Sequence, residues 1–379
     1  MGLAVSLAFG QCRWACDRST LIWAKDRASD VPLFRVVKDN KVGYIDATGH
    51  LVIPHKFDLT FNYLWDFIEG LAPVQVDQKW GFSDPNGKLV IPAIFEWVSP
   101  FSEGRALVRL GSGGPPYRIG FIDKDGKFVG DANLDGGAQP FSEGLSAVAL
   151  ANRKWAYMDK SGKIAVEPRY AWARSFSEGL ARVIPKGGCE VMEDICDCMD
   201  VPADPGDRTQ AANPQSPLPA CEFSYIEKGG KIVLTGFQNT QEFSEGVAGV
   251  RRSRVWGFIA KDGSQVIPER FQNVKPFHEG LAAVQMGGKW GFIDSVGKIV
   301  ITPQFDNTEG FSEGVGLVWL NQRFMFINKH GDQLFGRTFS VASPFAVGLA
   351  HVALGQRNAW DWAYINHEGT VVHEYRARQ

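Results

Sequence analysis

One stretch decides the fold: residues 280–314 read GLAAVQMGGKWGFIDSVGKIVITPQFDNTEGFSEG. The run from Leu281 to Met286 is short, apolar and bounded by glycine, which predicts a strand. Gly287-Gly288 predicts a two-residue hairpin turn, because glycine adopts positive φ at little cost. Lys289 to Asp294 is the predicted returning strand. Lys298 to Ile301 (KIVI) is the predicted third strand. Pro303 is predicted to end this strand, because proline has no N–H to donate to the hydrogen-bond ladder. The unit is thus a three-stranded meander followed by a long loop.

This unit recurs along the chain. Its Phe-Ser-Glu-Gly turn, or a close variant, returns at intervals that are mostly 34 residues, which gives about eight copies. A Lys-Trp-Gly-Phe-Ile-Asp strand returns in register with the turn. Repetition at a fixed period is the sequence signature of a repeat architecture. The recurring motif residues are Gly104, Gly144, Gly179, Gly246, Gly280 and Gly314 of the turn, and Trp80, Gly81, Trp155, Trp256, Gly257, Trp290 and Gly291 of the strand.

The Phe-Ser-Glu-Gly turn and the Lys-Trp-Gly-Phe-Ile-Asp strand together resemble the motifs of the WG-repeat family, also known from KWG repeats. The resemblance runs from Phe34 to Gly369, nearly the whole chain. It implies an all-β repeat array, chiefly bacterial, that serves as an interaction module. It implies no catalytic residue. Some units depart from the pattern: the third has Arg118-Ile119-Gly120 and lacks the tryptophan.

The units are predicted to stack into an open, superhelical array of three-stranded meanders. A closed propeller is the alternative, and the period of about 34 residues argues against it because propeller blades usually have four strands and 40 or more residues. Glycine inside a strand often marks a close approach of another segment. We therefore predict that the indole of one unit packs over the glycine of a neighbour, as Trp290 and Gly291 would allow.

The period suggests four regions. Residues 1–33 are an N-terminal segment that caps the array, with a signal remnant as the alternative. Residues 34–184 carry repeats one to four, and 185–222 form an acidic, cysteine-bearing insertion. Residues 223–379 carry repeats five to eight and a partial C-terminal repeat or cap.

The insertion carries Cys189, Cys196, Cys198 and Cys221. Two disulfides would staple a segment too small to have its own core, and would favour an exported or envelope-associated protein over a cytoplasmic one. A metal site is an alternative, although the spacing is not that of a zinc site. The third hypothesis is that these four cysteines are free thiols on a loop.

Composition excludes several function classes. Net charge is −2 with no long basic stripe, so nucleic acid is not an implied partner. No apolar run is long enough for a membrane span.

The seven histidines show no ligand or triad spacing, and the sequence implies no metal and no cofactor. The repeated glutamate of the Ser-Glu-Gly turn recurs in nearly every unit, whereas a catalytic pair is needed once. The sequence therefore predicts that the protein is not an enzyme.

Aromatic residues outside the motif are the candidate binding residues. Trp65, Trp97 and Trp172 fall in the long loop before the turn, and Trp319 follows the strand after it. Such a row could line a groove for a peptide or a glycan, or it could be buried between repeats. We predict a non-catalytic scaffold that binds a protein partner. The alternative is an envelope or surface module that binds polysaccharide through these aromatics.

Overall fold

The structure, a computed structural model, describes residues 32–60, 66–111, 118–130, 134, 137–150, 154–185, 222–354 and 361–376. Its strands form nine antiparallel sheets of three or four strands each. We call each sheet a blade and number the blades in chain order. Within these described ranges, no helix is long and apolar enough to cross a membrane.

Blades one to three contain β1 (Phe34–Lys38), β2 (Lys41–Ile45), β3 (Leu51–Asp58); β4 (Ala72–Val76), β5 (Lys79–Ser83), β6 (Leu89–Phe95); and β7 (Trp97–Val98), β8 (Ala106–Leu110), β9 (Arg118–Ile122), β10 (Phe128–Val129). Blades four to six contain β11 (Leu145–Ala149), β12 (Trp155–Asp159), β13 (Ile164–Tyr170); β14 (Trp172–Ser177), β15 (Leu180–Ile184), β16 (Phe223–Glu227), β17 (Ile232–Phe237); and β18 (Asn239–Thr240), β19 (Val247–Arg251), β20 (Trp256–Ala260), β21 (Gln265–Phe271). Blades seven to nine contain β22 (Asn273–His278), β23 (Leu281–Met286), β24 (Lys289–Ile293), β25 (Ile299–Phe305); β26 (Asn307–Ser312), β27 (Val315–Leu320), β28 (Arg323–Ile327); and β29 (Val341–Ala342), β30 (Ala350–Ala353), β31 (Asp361–Ile365), β32 (Val371–Arg376).

The blades close into a ring. The outer strand β32 of blade nine contacts β1 of blade one. Across this seam the Tyr364 hydroxyl donates to the Arg35 carbonyl at 2.7 Å, and the Tyr364 and Phe34 rings lie 5.5 Å apart. The open array predicted from the period is therefore wrong, and the closed propeller is the correct alternative. The number of units is nine rather than eight.

The prediction of three strands per unit missed the innermost strand of the blade. In blade seven this is β22, which lies in the segment assigned to the long loop and ends at the Ser-Glu-Gly type of turn. Innermost strands have only two to six residues in the blades where they are assigned, as in β18 and β26. A strand this short leaves a weak alternating pattern, so the sequence suggested a loop.

Two-residue turns explain how a four-stranded blade fits into 34 residues. At the first turn of blade seven, Glu279 and Gly280 have φ of 53° and 81°. Positive φ at both central residues is the pattern of a type I′ turn, which matches the twist of the strands it joins. Gly287 and Gly288 show the same pattern, at 58° and 77°, which confirms the predicted hairpin.

Strand order defines two faces of the ring. In an up-and-down sheet, the first and third turns of every blade lie on one edge and the second turn lies on the other. We call the edge with the Ser-Glu-Gly turns and the Asp-x-x-Gly turns the front face. The rear face carries the turns between the second and third strands, together with the connections from one blade to the next.

The core lies between consecutive blades. The phenylalanine of each Ser-Glu-Gly turn contacts an aromatic ring on the third strand of the preceding blade, as Phe311 contacts Phe292 with centroids 4.9 Å apart. Such tilted and edge-on pairs contribute about 0.5–1.5 kcal/mol beyond their buried area. The pair recurs as Tyr44–Phe67, Phe82–Phe101, Phe121–Phe141, Tyr157–Phe176, Tyr225–Phe243 and Phe258–Phe277.

The glycine of the Trp-Gly pair has a different neighbour from the one predicted. A Cβ on Gly291 would lie 2.5 Å from the Ile301 carbonyl oxygen and 2.6 Å from the Pro303 nitrogen, both in the outer strand of the same blade. A bulge in this strand, where Phe292 pairs with Ile301 and Trp290 with Phe305, arches its backbone over the glycine. The predicted packing of an indole over a neighbour's glycine is therefore wrong.

The prediction that Pro303 ends the outer strand is also wrong. Pro303 lies inside β25 and does not end it. A proline is tolerated there because β25 is an edge strand and the residue sits in the bulge. The Trp290 ring is 5% exposed and packs in the core that blades seven and eight share.

Candidate functional site

The repeated glutamates of the front face join consecutive blades from blade two to blade nine. The Glu103 carboxylate accepts hydrogen bonds from the backbone N–H groups of Glu143 (2.6 Å) and Gly144 (2.9 Å), and Lys160 lies 2.9 Å away. The same contact to the next turn glycine is made by Glu69 to Gly104, Glu143 to Gly179, Glu178 to Gly246, Glu245 to Gly280, Glu279 to Gly314 and Glu313 to Gly348. These carboxylates are therefore occupied in holding the ring together.

The electrostatics of Glu103 fit this role. Partial burial acts to raise the pKa of its carboxyl group, but the Lys160 ammonium and the two backbone donors outweigh it, so the pKa lies below its usual value. The pKa of Glu178 is lowered in the same way, by Lys261 and the Gly246 N–H against the effect of burial.

We expect Glu103→Ala to lower the free energy of unfolding by about 2 kcal/mol at neutral pH, because hydrogen bonds to a charged group and a partly buried ion pair are lost together. Glu245→Ala is the matched variant and should cost about 1 kcal/mol. The Glu245 carboxylate accepts a hydrogen bond from the Gly280 N–H, but Ser295 stands where Lys160 lies in the blade that Glu103 contacts. Urea denaturation of both variants tests the difference. A loss at Glu245 equal to that at Glu103 would contradict it.

Trp97, Trp172 and Trp319 lie in strands; for Trp97 and Trp172 this corrects the prediction of a loop position. Trp97 and Trp172 open the innermost strands β7 and β14 at the rear face, and both are half-buried. Trp319 lies in β27, edge-on to Phe324 at 4.5 Å, beside a cavity of about 10 Å³ that could hold a single water. Trp65 lies outside the described residues. Of the candidate residues that the structure describes, Trp97, Trp172 and Trp319 lie on blades three, five and eight.

Trp172 is held between two arginines. The guanidinium carbons of Arg174 and Arg182 lie 5.2 and 5.7 Å from its ring centroid, within cation–π range, and Phe223 meets the indole edge-on at 5.7 Å. Arg182 also donates to the Thr240 carbonyl at 2.6 Å and pairs with Glu242 at 3.2 Å. These contacts fix both guanidinium groups at the rear of the inner strands.

Further cations follow on the neighbouring blades. Arg251 lies over the Trp256 ring at 5.5 Å, and Lys275 lies over Trp290 at 5.7 Å. Burial lowers the pKa of Arg251. We call the set on the first and second strands of blades three to seven the cationic arc; it consists of Arg109, Arg174, Arg182, Arg251 and Lys275. Arg109 and Arg251 share one position of the repeat and Arg174 and Lys275 share another, but the other blades have no cation at these positions, so the arc does not stand out in the sequence.

The insertion leaves the ring beside this arc. The segment 186–221 connects β15 to β16, which are neighbouring strands of blade five, with Val183 opposite Ser224. Blade five is therefore built from chain on both sides of the insertion. Trp172 pairs with Ile184 at the point where the segment begins. The four cysteines of the insertion lie outside the described residues. Within the part of the chain that the structure describes, no three His, Cys, Asp or Glu side chains are grouped to hold a metal ion.

A half-buried histidine lies at the seam that closes the ring. The His351 ring is stacked between Trp362 at 4.5 Å and Tyr375 at 5.8 Å, and its Nε2 is 2.7 Å from the Tyr375 hydroxyl oxygen. Burial, with a contribution from the Arg35 charge, lowers the pKa of His351 to about 3. His351 is therefore neutral at physiological pH, and its packing serves the seam.

Comparison with known proteins supports the repeat assignment. A family model described as a WG containing repeat matches residues 43–80, 80–112, 119–155, 155–188, 256–290 and 290–322, more than half of the chain. A search of curated proteins with this chain found no match.

Solved structures give a likeness of fold. A crystal structure of the eukaryotic initiation factor superposes with a TM-score of 0.60 at 10% identity, covering 92% of this chain and 96% of that one. The computationally designed Ika8 protein gives 0.38 at 11% identity (80% and 95% covered), and BamB from Moraxella catarrhalis gives 0.40 at 10% identity (81% and 87%). At 10% identity, the likeness to the initiation factor concerns the fold alone.

Proposed function

Because the chain belongs to the WG-containing repeat family, we propose that it is a non-catalytic scaffold that binds protein partners through its rear face. The observation that carries the proposal is the concentration of half-buried tryptophan and arginine side chains at the rear ends of the inner strands. Tryptophan and arginine are enriched among the residues that dominate the energy of protein interfaces. Trp172, which contacts Arg174, Arg182 and Phe223, is the anchor of this kind that we single out.

Rigid side chains favour binding because little conformational freedom is lost when a partner docks. The ring supplies this rigidity, since each inner strand is hydrogen-bonded to the second strand of its own blade and packed against a neighbouring blade. The rear face also carries the connections that depart from the repeat, including the insertion between β15 and β16. Departures from a repeat on one face commonly mark the binding face of such proteins.

The experiment is capture of partners from an extract of the native host by the purified full chain. We expect specific partners to be lost with Trp97→Ala/Trp172→Ala and retained with Ile94→Ala, which removes an exposed side chain of the outer strand β6. A thermal unfolding scan checks that the double variant is folded, and Trp172→Leu repeats the test with less loss of volume. Retention of every partner by the folded double variant would refute the rear-face assignment. A glycan-array screen covers the polysaccharide alternative: a glycan bound by the wild type and lost in the double variant would replace the protein partner.

A further inference from the structure

We propose that blade one binds an extended segment of a protein partner along the inner edge of β1, where the segment serves as the innermost strand of this blade. The proposal rests on the proposed function only for the choice of a protein as the ligand. It goes beyond that function by adding a second site, at a strand edge, and by stating the chemistry that the segment must have.

The strand β1 corresponds to the second strand of the other blades. Its hairpin to β2 pairs Lys38 with Lys41, as the hairpin of blade seven pairs Met286 with Lys289. In blade three and in blades five to nine, the second strand lies between an innermost strand and a third strand. By contrast, β1 pairs with β2 alone and takes part in no isolated bridge. Within the described ranges, the inner edge of β1 therefore has no strand partner.

The backbone of β1 directs hydrogen-bonding groups to this edge. Lys38 and Lys41 close a two-residue hairpin and so form a hydrogen-bonded pair. The alternation of an antiparallel ladder then points the N–H and C=O groups of Val37 and Arg35 away from β2. The Arg35 carbonyl accepts from the Tyr364 hydroxyl, but no backbone group of the described chain outside β1 and β2 bonds to Val37, which is only 7% exposed. Because buried backbone groups are nearly always paired, Val37 indicates a missing partner.

The other blades show what kind of group this partner is. In blade seven the Gln272 N–H donates to the carbonyl of Gln285, which holds the position of Val37. The same carbonyl accepts from the chain that enters the blade in blades three, five, six and eight, at Arg109, Ile184, Arg251 and Trp319. The missing partner of Val37 is therefore a backbone N–H of an extended chain. Two paired residues suffice, since β7, β18 and β29 are no longer than that.

The chain that precedes β1 cannot reach this edge through the turn that the other blades use. The turns before the second strands of blades two to nine have positive φ at both central residues, as at Glu279 and Gly280. Pro32 stands at the position of this glycine in blade one. Its ring fixes φ at about −65°, which excludes a type I′ turn. Pro32 therefore favours a segment of another chain over the preceding segment.

The innermost strands also predict the side chains of the segment. The residue opposite the valine of the second strand is small or β-branched in each assigned case: Val98, Ala173, Thr240, Val274, Thr308 and Ala342. The residue before it is tryptophan, asparagine or valine. In β1 the corresponding valine, Val36, packs in the core at the seam, and Val37 packs in the core shared with blade two. We therefore expect an uncharged pair, with asparagine or tryptophan followed by valine or threonine.

Fluorescence anisotropy with the full chain and a fluorescein-labelled peptide tests the site. The peptide RFQNVKPF copies residues 270–277, which include most of β22. We expect saturable binding by the wild type. A methyl group on the backbone nitrogen of the residue that copies Gln272 retains every side chain but removes the donor to Val37. The methylated peptide should therefore bind at least about 10-fold more weakly.

A variant that supplies the strand within its own chain is the second arm. Residues 25–32 are replaced by NVKPSHEG, which copies residues 273–280 except that Ser29 is kept, because Phe34 already meets Tyr364 there. This variant should lose peptide binding by at least about 10-fold, since the new strand competes for the edge. The matched control, NVKPSHEP, has the same strand sequence but retains Pro32, and should bind the peptide as the wild type does. A thermal unfolding scan checks that both variants are folded.

Several results would overturn the proposal. One is no binding of the peptide, and another is equal binding of the methylated peptide. A third is undiminished binding by the folded NVKPSHEG variant. Binding by a chain that lacks residues 2–31, but not by the wild type, would make the preceding segment of this chain the occupant.

The peptide assay also separates this proposal from the proposed function. It uses no cellular partner, so its failure leaves the rear-face scaffold standing. Trp97→Ala/Trp172→Ala should bind the peptide with unchanged affinity, because these residues lie on blades three and five. If the peptide binds but the wild type captures no specific partner from the host extract, the scaffold function fails while the strand edge remains a binding site.

Discussion

Gly291→Ala is expected to lower the free energy of unfolding by about 3 kcal/mol or more, while Gly280→Ala should cost about 1 kcal/mol. The two glycines meet different constraints. The new methyl group at Gly291 would lie 2.5–2.8 Å from backbone atoms of the bulged outer strand, which cannot move aside as a flexible side chain could. At Gly280 the space is open and only the positive φ of 81° is unfavourable for alanine.

Urea or thermal denaturation of the two purified variants measures this difference. The repeat supplies an internal replicate, because Gly81 and Gly257 face the same backbone atoms of their own outer strands at 2.5–2.9 Å. Alanine at either position should reproduce the large loss. If Gly291→Ala proved no worse than Gly280→Ala, the close approach of the outer strand would not be what requires glycine there.

The Trp-Gly pair therefore combines two separate requirements. The tryptophan fills the core between blades, where Trp80, Trp256 and Trp290 are at most 6% exposed. The glycine admits the arch of the outer strand within its own blade. The glycine predicts a close approach from the sequence alone, but the approaching group is the outer strand of the same blade and not the indole of a neighbouring unit. Periodicity does not show which strand carries a bulge.

The strands and turns of the middle of each blade could be predicted from the sequence, because local signals determine them. Alternating apolar residues and the Gly287-Gly288 turn specify β23 and β24 without reference to the rest of the chain. Closure could not be predicted in this way. The Tyr364 to Arg35 hydrogen bond joins residues 329 positions apart, and a period of 34 residues is compatible with a stack and with a ring.

The candidate site was predictable only in part. Trp97 and Trp172 attracted attention as aromatics outside the motif, and both lie at the rear face. Most other copies of these strands carry no arginine at the positions of the arc: Arg182 corresponds to Ala283 in blade seven and to His351 in blade nine. Such substitutions become visible as a surface only after the blades are placed side by side.

Acid is expected to weaken the wild-type protein through His351. Its pKa is about 6.5 in an unfolded chain and about 3 in the folded protein, so the unfolded state binds the proton first as the pH falls. The stability associated with neutral His351 is fully present above pH 6.5. It declines by about 1.4 kcal/mol per pH unit below that, and the loss reaches about 5 kcal/mol near pH 3.

His351→Gln should remove this dependence, so that the difference in unfolding free energy between variant and wild type shrinks or reverses as the pH is lowered from 7 to 4.5. Over that range the relative change should be about 3 kcal/mol, measured by urea denaturation at each pH. Tyr375→Phe is the matched control: it removes the hydrogen-bond partner of His351 but leaves the imidazole packed beside Trp362 and close to the Arg35 charge. It should keep the wild-type acid slope. Parallel pH profiles for His351→Gln and the wild type would show that another group controls the response of the seam to acid. A slope lost only in His351→Gln would assign the acid response to the residue that blade nine places where blades four, seven and eight have Ala147, Ala283 and Leu317.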